Sequence, residues 1–403
     1  MRKAVKLLTT ILALLVVYTI AWSWTVISFT TRKTALQESS TSNSRGGAAL
    51  YDSTAMIFVH VGKTGGETIK WRLQVICELR GSKRKKARCK EQFSLGESLL
   101  SRRVIGYTHC GSQRPRKSME SATSFLVSIR DPIDRLVSWF QYMHPLNCSP
   151  ERPSGACNLK KDTSSTWGVD FFQTCFPTMD RLLDVLQPAS SSSSNLPSLT
   201  EAAGGTGSNQ AANTTNANNV DCATMAIRAL QGNGPRVQSN HLHFNYFYNY
   251  NRTILVYPER DVWVVRQESL WPDLKQIETL LGGDGSRKFE HEGPIITHAS
   301  EKFPYKIKTA DLNAAHLPAV CCTMRDEVLV YAYLLHNAVN LEAVQKQTSM
   351  NNLLSKCGVN SLQELSNTCG WKNKKKKPEG NDDKDGKVIR RLDELWPMLD
   401  IKF

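Results

Sequence analysis

Acidic residues are scarce in this sequence. Its 403 residues include 37 Asp and Glu against 51 Lys and Arg, which leaves a net charge of +14. This excess favours an anionic partner: nucleic acid, a membrane surface, a polyanionic glycan or a phosphorylated cofactor. No internal repeat is visible, and the apolar fraction of 40% is ordinary for a globular core. The length predicts one large domain or two smaller ones.

A complete nucleotide-binding P-loop is also missing. Residues 56–73, MIFVHVGKTGGETIKWRL, give an apolar run, a glycine-rich turn and a plausible helix. The turn contains Gly-Lys-Thr, but Ile57 stands where the P-loop needs its first glycine. Backbone N–H groups and the helix dipole still form a cradle for an anion at such a turn. We therefore expect a phosphate-like ligand, whereas the missing glycine argues against a nucleotide-dependent kinase.

Charge is absent from residues 7–31 near the N-terminus. About 20 apolar residues span a bilayer, whereas the apolar core of a cleaved signal peptide is about 7–15 residues long. More basic residues precede the run than follow it, which favours a cytoplasmic N-terminus. A cleaved signal peptide is the alternative to an anchor. The sequence predicts a cytoplasmic tail (1–6), a transmembrane signal anchor (7–31) and a polar stem (32–54). The rest of the chain is expected in the secretory lumen.

Cysteines and glycosylation triplets agree with that compartment. The chain has 11 cysteines, and the pairs Cys148/Cys157 and Cys357/Cys369 each flank a short segment. Each pair is expected to form a local disulfide, with free buried thiols as the alternative. The odd count leaves at least one cysteine unpaired or bonded to another chain. Three triplets predict N-glycosylation: Asn147, Asn213 and Asn251. A lumenal position argues against nucleic acid as the partner.

Short apolar runs predict the strands of one lumenal domain, residues 55–350. The runs are MIFVHV, RRVIGYTHC, SFLVSIR, TILVY and VWVVRQE. Helices are expected after Asp131 as an N-cap, over LWPDLKQIETLL, and as one long helix over 318–346 whose charged residues Arg325, Asp326 and Glu327 face water. This alternation indicates an α/β fold with a mainly parallel central sheet and helices on both faces. Residues 187–219 are low in complexity and predict a disordered insertion, and 351–403 form a C-terminal extension with a lysine-rich tail.

Polar residues follow three of the predicted strands where each strand ends. The first strand leads to Lys63-Thr64-Gly65-Gly66, the second to His109, and the third to Arg130, with Ser138 in the next helix. Open parallel sheets bind ligands beyond the carboxyl ends of their strands. The planar fork of Arg130 suits a terminal phosphate, and the compact ammonium of Lys63 suits a charge that develops during reaction. The sequence thus predicts two anion sites at one sheet edge.

These two stretches resemble the cofactor motifs of a known enzyme family. FVHVGKTGGETI is similar to the 5′-phosphosulfate motif of sulfotransferases that use 3′-phosphoadenosine 5′-phosphosulfate (PAPS). SFLVSIRDPIDRLVSWF is similar to their 3′-phosphate motif, in which a serine follows the arginine by eight residues. The nearest likeness is to Golgi carbohydrate sulfotransferases, particularly the heparan sulfate 2-O- and 6-O- groups, and it implies a P-loop-like sulfotransferase fold. It also implies a glycan or proteoglycan acceptor, no metal, and a single-pass type II Golgi protein.

The resemblance assigns roles to individual residues. Lys63 would contact the sulfate and the bridging oxygen, and His109 would act as the base. Arg130 and Ser138 would bind the 3′-phosphate. The remaining cofactor-binding positions are Thr64, Gly65, Gly66 and Thr68. Glu67 departs from the Ser or Thr that many members carry at its position.

Several alternatives stay open at this point. Glu259, Glu268 or Glu301 could replace His109 as base, since a carboxylate with a raised pKa can do the same work. His60 is expected to be structural. A loop at Ser300 and Lys302 is a candidate cover for the cofactor, and the basic run 80–90 a candidate glycan contact. Rival functions are a non-catalytic glycan-binding protein and a glycosyltransferase, although the one Asp-x-Asp triplet, Asp383–Lys–Asp385, lies in the tail.

Overall fold

The computed structural model describes most of the expected lumenal domain. The described residues are 54–62, 64–66, 68–69, 98–109, 120–148, 157, 170–187, 221–231, 254–283 and 304–371. The predicted signal anchor, most of the stem, nearly all of the insertion and the lysine-rich tail lie outside them. Within these ranges no helix is long and apolar enough to cross a membrane.

Among the described residues, four parallel strands form the central sheet. They are β1 (Met56–His60), β2 (Val104–His109), β3 (Ser124–Ile129) and β4 (Asp261–Arg266). Their spatial order is β2-β1-β3-β4, and every pairing is parallel. The predicted parallel α/β architecture is confirmed at this level. The chain moves from β1 to one side to form β2, and then returns past β1 to form β3.

Nine α-helices surround this sheet in the part of the chain that the structure describes. They are α1 (Leu99–Arg103), α2 (Pro132–Met143), α3 (Met179–Leu186), α4 (Cys222–Leu230), α5 (Leu270–Leu280), α6 (Leu317–Thr323), α7 (Arg325–Asn337), α8 (Ala343–Lys356) and α9 (Leu362–Thr368). A π-helix spans Asp170–Cys175, and 3-10 turns span Pro145–Asn147, Ile254–Val256, Gln267–Ser269, Thr309–Asp311 and Ala314–His316.

Both faces of the sheet are buried, because alternate residues of each strand point to opposite sides. Ile57 and Val59 join a large core with residues of α2 and α7, whereas Met56 and Phe58 join a second core with residues of α5. The predicted arrangement of helices on both faces is therefore confirmed. The strands read as continuous apolar runs for this reason.

Helix α2 begins as its sequence predicts. The Asp131 carboxylate accepts hydrogen bonds from the backbone N–H groups of Ile133 (2.8 Å) and Asp134 (3.2 Å), and Pro132 occupies the first turn. Its predicted apolar face is buried: Ile133, Leu136, Val137 and Phe140. The Asp-Pro start and the helical spacing are local signals, so helix α2 could be predicted without knowledge of any tertiary contact.

Three predicted elements differ from the structure. Arg102 and Arg103 end helix α1, so the second strand starts only at Val104. TILVY forms a 3-10 turn at Ile254–Val256 instead of a strand, because Ile254 and Leu255 bury their side chains without pairing to the sheet. The expected long helix over 318–346 is divided into α6, α7 and the start of α8, with one break at Met324 and a second between Asn337 and Ala343.

Glu327 is a further correction, because it does not face water. Its side chain is 2% exposed and lies 3.7 Å from the guanidinium of Arg135 in α2. A buried charge needs such a partner, since isolated ions are costly to desolvate. Three consecutive charged residues at the start of α7 are typical of a solvated face, so the sequence did not indicate this buried ion pair.

Disulfide bonds join distant parts of the domain. The predicted pair Cys148–Cys157 is present. The predicted pair Cys357–Cys369 is wrong, because Cys357 bonds Cys321 and Cys369 bonds Cys322. Cys357 and Cys369 cap the ends of α8 and α9, and each end meets one of two adjacent cysteines in α6. Cys175–Cys222 is a fourth bond, which the spacing did not suggest.

The last helices pack on the same core as the rest. Helix α8 crosses residue 350, where the sequence suggested the end of the domain, and its residues Met350 and Leu353 are fully buried. Leu365 in α9 is fully buried as well. The packed structure therefore continues at least to Trp371 at the end of the described region.

Asn147 is buried rather than glycosylated in this fold. Its side-chain amide donates to the carbonyls of Gln141 and Tyr305, and its oxygen accepts from the N–H of Tyr305. The residue is 2% exposed, which leaves no room for a glycan. The predicted sites at Asn213 and Asn251 lie outside the described residues.

Candidate cofactor site

The candidate site lies where the strand order reverses. Strands β1 and β3 are neighbours, but the chain leaves β1 toward β2 on one side and β3 toward β4 on the other. Such a switch point opens a crevice beyond the carboxyl ends of the two strands. The turn that begins at Gly62 follows β1, and Arg130 follows β3. Both predicted anion-binding stretches therefore reach the same crevice. Lys63 itself lies outside the described residues.

Thr64 ties the turn after β1 to strand β3. Its hydroxyl donates to the carbonyl of Val61 (2.8 Å) and lies 2.7 Å from the hydroxyl of Ser128. Thr64 and Ser128 are both fully buried. The Thr64 hydroxyl is thus engaged inside the protein, where it holds the turn against β3.

Two glycines let the turn fold tightly. Gly65 has a φ of 77°, a conformation that side chains disfavour. A Cβ placed on Gly66 would lie 2.1 Å from Cδ2 of His60, far inside van der Waals contact. The N–H of Ile69 donates to the carbonyl of Gly65 (3.3 Å) and begins a helical turn. The backbone therefore approaches β1 more closely than any larger residue would allow.

Arg135 links helix α2 to the turn after β1. Its Nε donates to the carbonyl of Gly62 (3.0 Å), although Arg135 belongs to helix α2 behind β3. Glu327 of α7 lies 3.7 Å from the same guanidinium, and both side chains are almost fully buried. The link fixes the peptide that precedes Lys63 relative to α2. Sequence reasoning missed this role, although a charged residue on the buried face of α2 was a signal for it.

Arg130 and Ser138 lie on the other side of the crevice. Arg130 follows the last residue of β3 and is partly buried, as is Ser138 in the second turn of α2. The N-terminus of α2 opens directly after Arg130, and its dipole adds positive potential there. Thr68, a further predicted cofactor contact, lies beyond the turn after β1 and is also partly buried.

Lys356 is a second cation at the start of α2. Its ammonium lies 3.2 Å from Asp131 and 2.9 Å from Asp134, and the hydroxyl of Thr309 donates to Asp134 (2.6 Å). Burial raises the pKa of Asp131, although Lys356 opposes that shift. Burial works against the charge of Lys356, but Asp131 and Asp134 outweigh it and raise the pKa of Lys356.

His109 ends strand β2 on the far side of β1. Its backbone pairs in register with that of His60, so the ends of β2, β1 and β3 follow one another across the sheet. Strands are about 4.8 Å apart, which puts the end of β2 roughly 10 Å from the end of β3. The structure describes the backbone of His109 and not its side chain.

The alternative bases occupy different positions. Glu268 follows β4 and accepts a hydrogen bond from Ser349 (3.2 Å), and burial raises its pKa. Glu259 is exposed and precedes β4, so it lies at the opposite end of the sheet from the crevice. Glu301, Ser300, Lys302, Glu67 and the basic run 80–90 are outside the described residues. Among the side chains that are described, no three His, Cys, Asp or Glu lie together as a metal site.

The fold and this crevice define an α/β protein with two candidate anion-binding loops at a topological switch point. Residues 49–164 match a family model described as the Sulfotransferase family. The matched segment includes β1 and its glycine turn, β2, β3, Arg130 and Ser138. The match confirms the sulfotransferase resemblance and supports sulfuryl transfer in general for this chain. No curated protein and no solved structure matches the chain.

Proposed function

We propose that this protein is a PAPS-dependent carbohydrate sulfotransferase, which transfers the sulfuryl group of PAPS to a hydroxyl of a glycan or proteoglycan. We propose further that it is a single-pass type II protein of the Golgi membrane with a lumenal catalytic domain. The family match supports the type of transfer. The uncharged segment 7–31 supports the anchor, and the four disulfides between described cysteines agree with an oxidising compartment.

One observation carries the proposal: the order of the strand ends. His109 ends β2, the glycine turn follows β1, and Arg130 follows β3, in neighbouring positions along one edge. A donor with a sulfated phosphate at one end and a second phosphate at the other fits this order. The base would then stand on the side of the sulfate, away from the second phosphate.

The residues around the crevice suit the two anionic ends of PAPS. The tight turn at Gly65 and Gly66 brings backbone N–H groups to the 5′-phosphosulfate. Arg130 offers a planar pair of donors to the 3′-phosphate, with the Ser138 hydroxyl on the same helix side of the crevice. PAPS, when bound, supplies the sulfuryl group and a leaving group, adenosine 3′,5′-bisphosphate.

His109 and Lys63 have different roles in the transfer. The imidazole of His109 takes the proton of the acceptor hydroxyl while that oxygen forms its bond to sulfur. With PAPS bound, Lys63 would stabilise the negative charge that develops on the oxygen between phosphorus and sulfur as the sulfuryl group leaves. Its ammonium gains most interaction late in the reaction, so it favours the transition state over the bound donor.

Binding and turnover of three variants test the proposal. Arg130→Ala should weaken adenosine 3′,5′-bisphosphate binding in calorimetry, because a charge-assisted hydrogen bond contributes about 1.5–3 kcal/mol. His109→Ala should lower turnover by about 10²–10⁴ with binding nearly intact. Lys63→Ala should lower both. Radiolabelled PAPS and a panel of glycans provide the turnover assay.

The outcomes separate this proposal from its rivals. A folded wild-type chain that binds no bisphosphate contradicts a PAPS site. Binding of the bisphosphate without transfer to any glycan favours a non-catalytic glycan-binding protein. Normal turnover of His109→Ala shows that another residue is the base, and Glu268 is the next to test, since it lies at the crevice end of the sheet. Chelators should leave transfer unchanged, because lysine and backbone donors neutralise the sulfate.

A further inference from the structure

Lys356 is held in one place by contacts on both of its sides. On one side its ammonium bridges Asp131 and Asp134, at 3.2 and 2.9 Å, in the first turn of α2. On the other side the next residue, Cys357, is bonded to Cys321 in α6. Helix α8 therefore ends with its last side chain fixed over the start of α2.

A second anchor fixes the other half of α8. Arg266, the last residue of β4, donates to the carbonyl of Gln345 and to the hydroxyl of Ser349 in α8. Asp273 holds Arg266 in turn through bonds of 2.6 and 2.9 Å. Helix α8 thus lies along the carboxyl ends of β3 and β4, on the side of the crevice where Arg130 emerges.

The charges at the start of α2 require a cation besides Arg130 if a phosphate is to bind there. Asp131 and Asp134 suit the positive end of α2, but both repel a phosphate bound at the same end. Arg130 alone would leave the cluster of these three residues with a negative net charge. Lys356 brings it to neutrality, so the helix dipole and the donors of Arg130 can act on an anion.

The ammonium also remains accessible to a ligand. The Lys356 side chain is 26% exposed, and Asp134 is 32% exposed, whereas Asp131 is 7% exposed. Ser138 follows Asp134 by four residues and so lies next to it on one face of α2. Lys356 and Ser138 therefore border the same strip of surface.

Resting on the proposed function, we propose that Lys356 binds the 3′-phosphate of the cofactor together with Arg130 and Ser138. Asp131 and Asp134 position its ammonium, and the Cys321–Cys357 bond fixes the end of α8 that carries it. Lys356 is 226 residues from Arg130 in the chain, outside the segment that matches the family model. The inferred ligand chemistry is a terminal phosphate monoester.

Two nucleotides that differ only in this phosphate test the proposal on the full chain in detergent. Adenosine 3′,5′-bisphosphate and adenosine 5′-monophosphate are titrated into wild type, Lys356→Gln and Lys356→Arg. Lys356→Gln should weaken bisphosphate binding roughly 10- to 100-fold, the loss of one charge-assisted hydrogen bond. Monophosphate binding should change less than about twofold, and Lys356→Arg should retain most of the bisphosphate affinity.

A lysine of the same helix serves as the control. Lys346 donates to the carbonyl of His336, so Lys346→Gln removes a positive charge from α8 away from the start of α2. It should leave the ratio of the two affinities unchanged. If Lys356→Gln does not fold, the double variant Asp134→Asn with Lys356→Gln replaces it, since only one carboxylate is then left unpaired.

Each result is decisive. An unchanged affinity ratio in Lys356→Gln, or equal losses for both nucleotides, overturns the role of Lys356 and leaves the PAPS site standing. A wild type that binds neither nucleotide overturns the proposed function instead. A selective loss of bisphosphate affinity in the variant, restored by arginine, supports the assignment.

Discussion

Alanine at Gly66 should disturb the candidate cofactor site through one identifiable clash. The new Cβ would lie 2.1 Å from Cδ2, 2.7 Å from Cγ and 2.8 Å from Nε2 of His60. Carbon atoms pack at about 3.5–4.0 Å, so the two groups must separate by about 1.5 Å. His60 is 4% exposed and its ring lies parallel to that of Phe58, which restricts its movement. The turn is therefore expected to move instead.

The expected magnitudes follow from this displacement. Overpacking costs about 1–3 kcal/mol of stability, whereas Gly to Ala at an unhindered helical position would stabilise by up to about 1 kcal/mol. The sign of the change is thus itself a test. A misplacement of about 1 Å at a reacting group lowers activity roughly 10²-fold. Gly66→Ala should accordingly lose more turnover than its loss of stability explains.

A double-mutant cycle with His60→Ala identifies the cause. Removal of the ring makes space, so Gly66→Ala should cost at least about 1 kcal/mol less in the His60→Ala background, measured by chemical denaturation. Bisphosphate affinity should recover in the double variant as well. The reasoning is refuted if the cost of Gly66→Ala is the same in both backgrounds.

Three further predictions concern buried polar groups. Asn147→Gln should leave gel mobility unchanged, since that amide is buried, but should lower the melting temperature. By contrast, Asn251→Gln should increase gel mobility through loss of a glycan if the domain is lumenal. Glu327→Gln should cost about 3–5 kcal/mol by leaving Arg135 without its carboxylate, whereas Arg135→Met with Glu327→Leu should regain stability without regaining turnover, because Gly62 loses its donor. Burial lowers the pKa of His144, so the free energy of unfolding should fall as the pH drops below about 6.5, and His144→Phe should flatten that slope. A gel shift for Asn147→Gln, a stable Glu327→Gln, or an unaltered pH slope would contradict the respective prediction.

Local signals carried the predictions that the structure confirms. Asp131 and Pro132 mark the start of α2 in adjacent residues, and the strand ends at Ile129 and His60 follow from short apolar runs. Their placement side by side follows from the rules for parallel sheets. The positions of Arg130 and of the glycine turn could therefore be predicted without any long-range contact.

The features that the sequence did not predict depend on contacts between residues distant in the chain. Nothing near Lys356 in the sequence indicates Asp131, and nothing near Cys357 distinguishes Cys321 from Cys369 as its partner. Glu327 looked solvated because its neighbours Arg325 and Asp326 are charged, yet tertiary packing buries it against Arg135. TILVY has the composition of a strand, but propensity is a weak prior where packing places the segment beside the sheet rather than in it.

The Cys175–Cys222 bond has a consequence for how this chain tolerates change. It closes a loop that contains α3 and the long segment after it, because Cys175 precedes α3 and Cys222 begins α4, and both helices bury residues in the same core. The two residues that close this loop are thus held together whatever the length of that segment. Since closing a loop twice as long costs only about 0.6 kcal/mol more, insertions and deletions in this segment should cost little in folding free energy. An affinity tag or a fluorescent label inserted there should leave the domain intact.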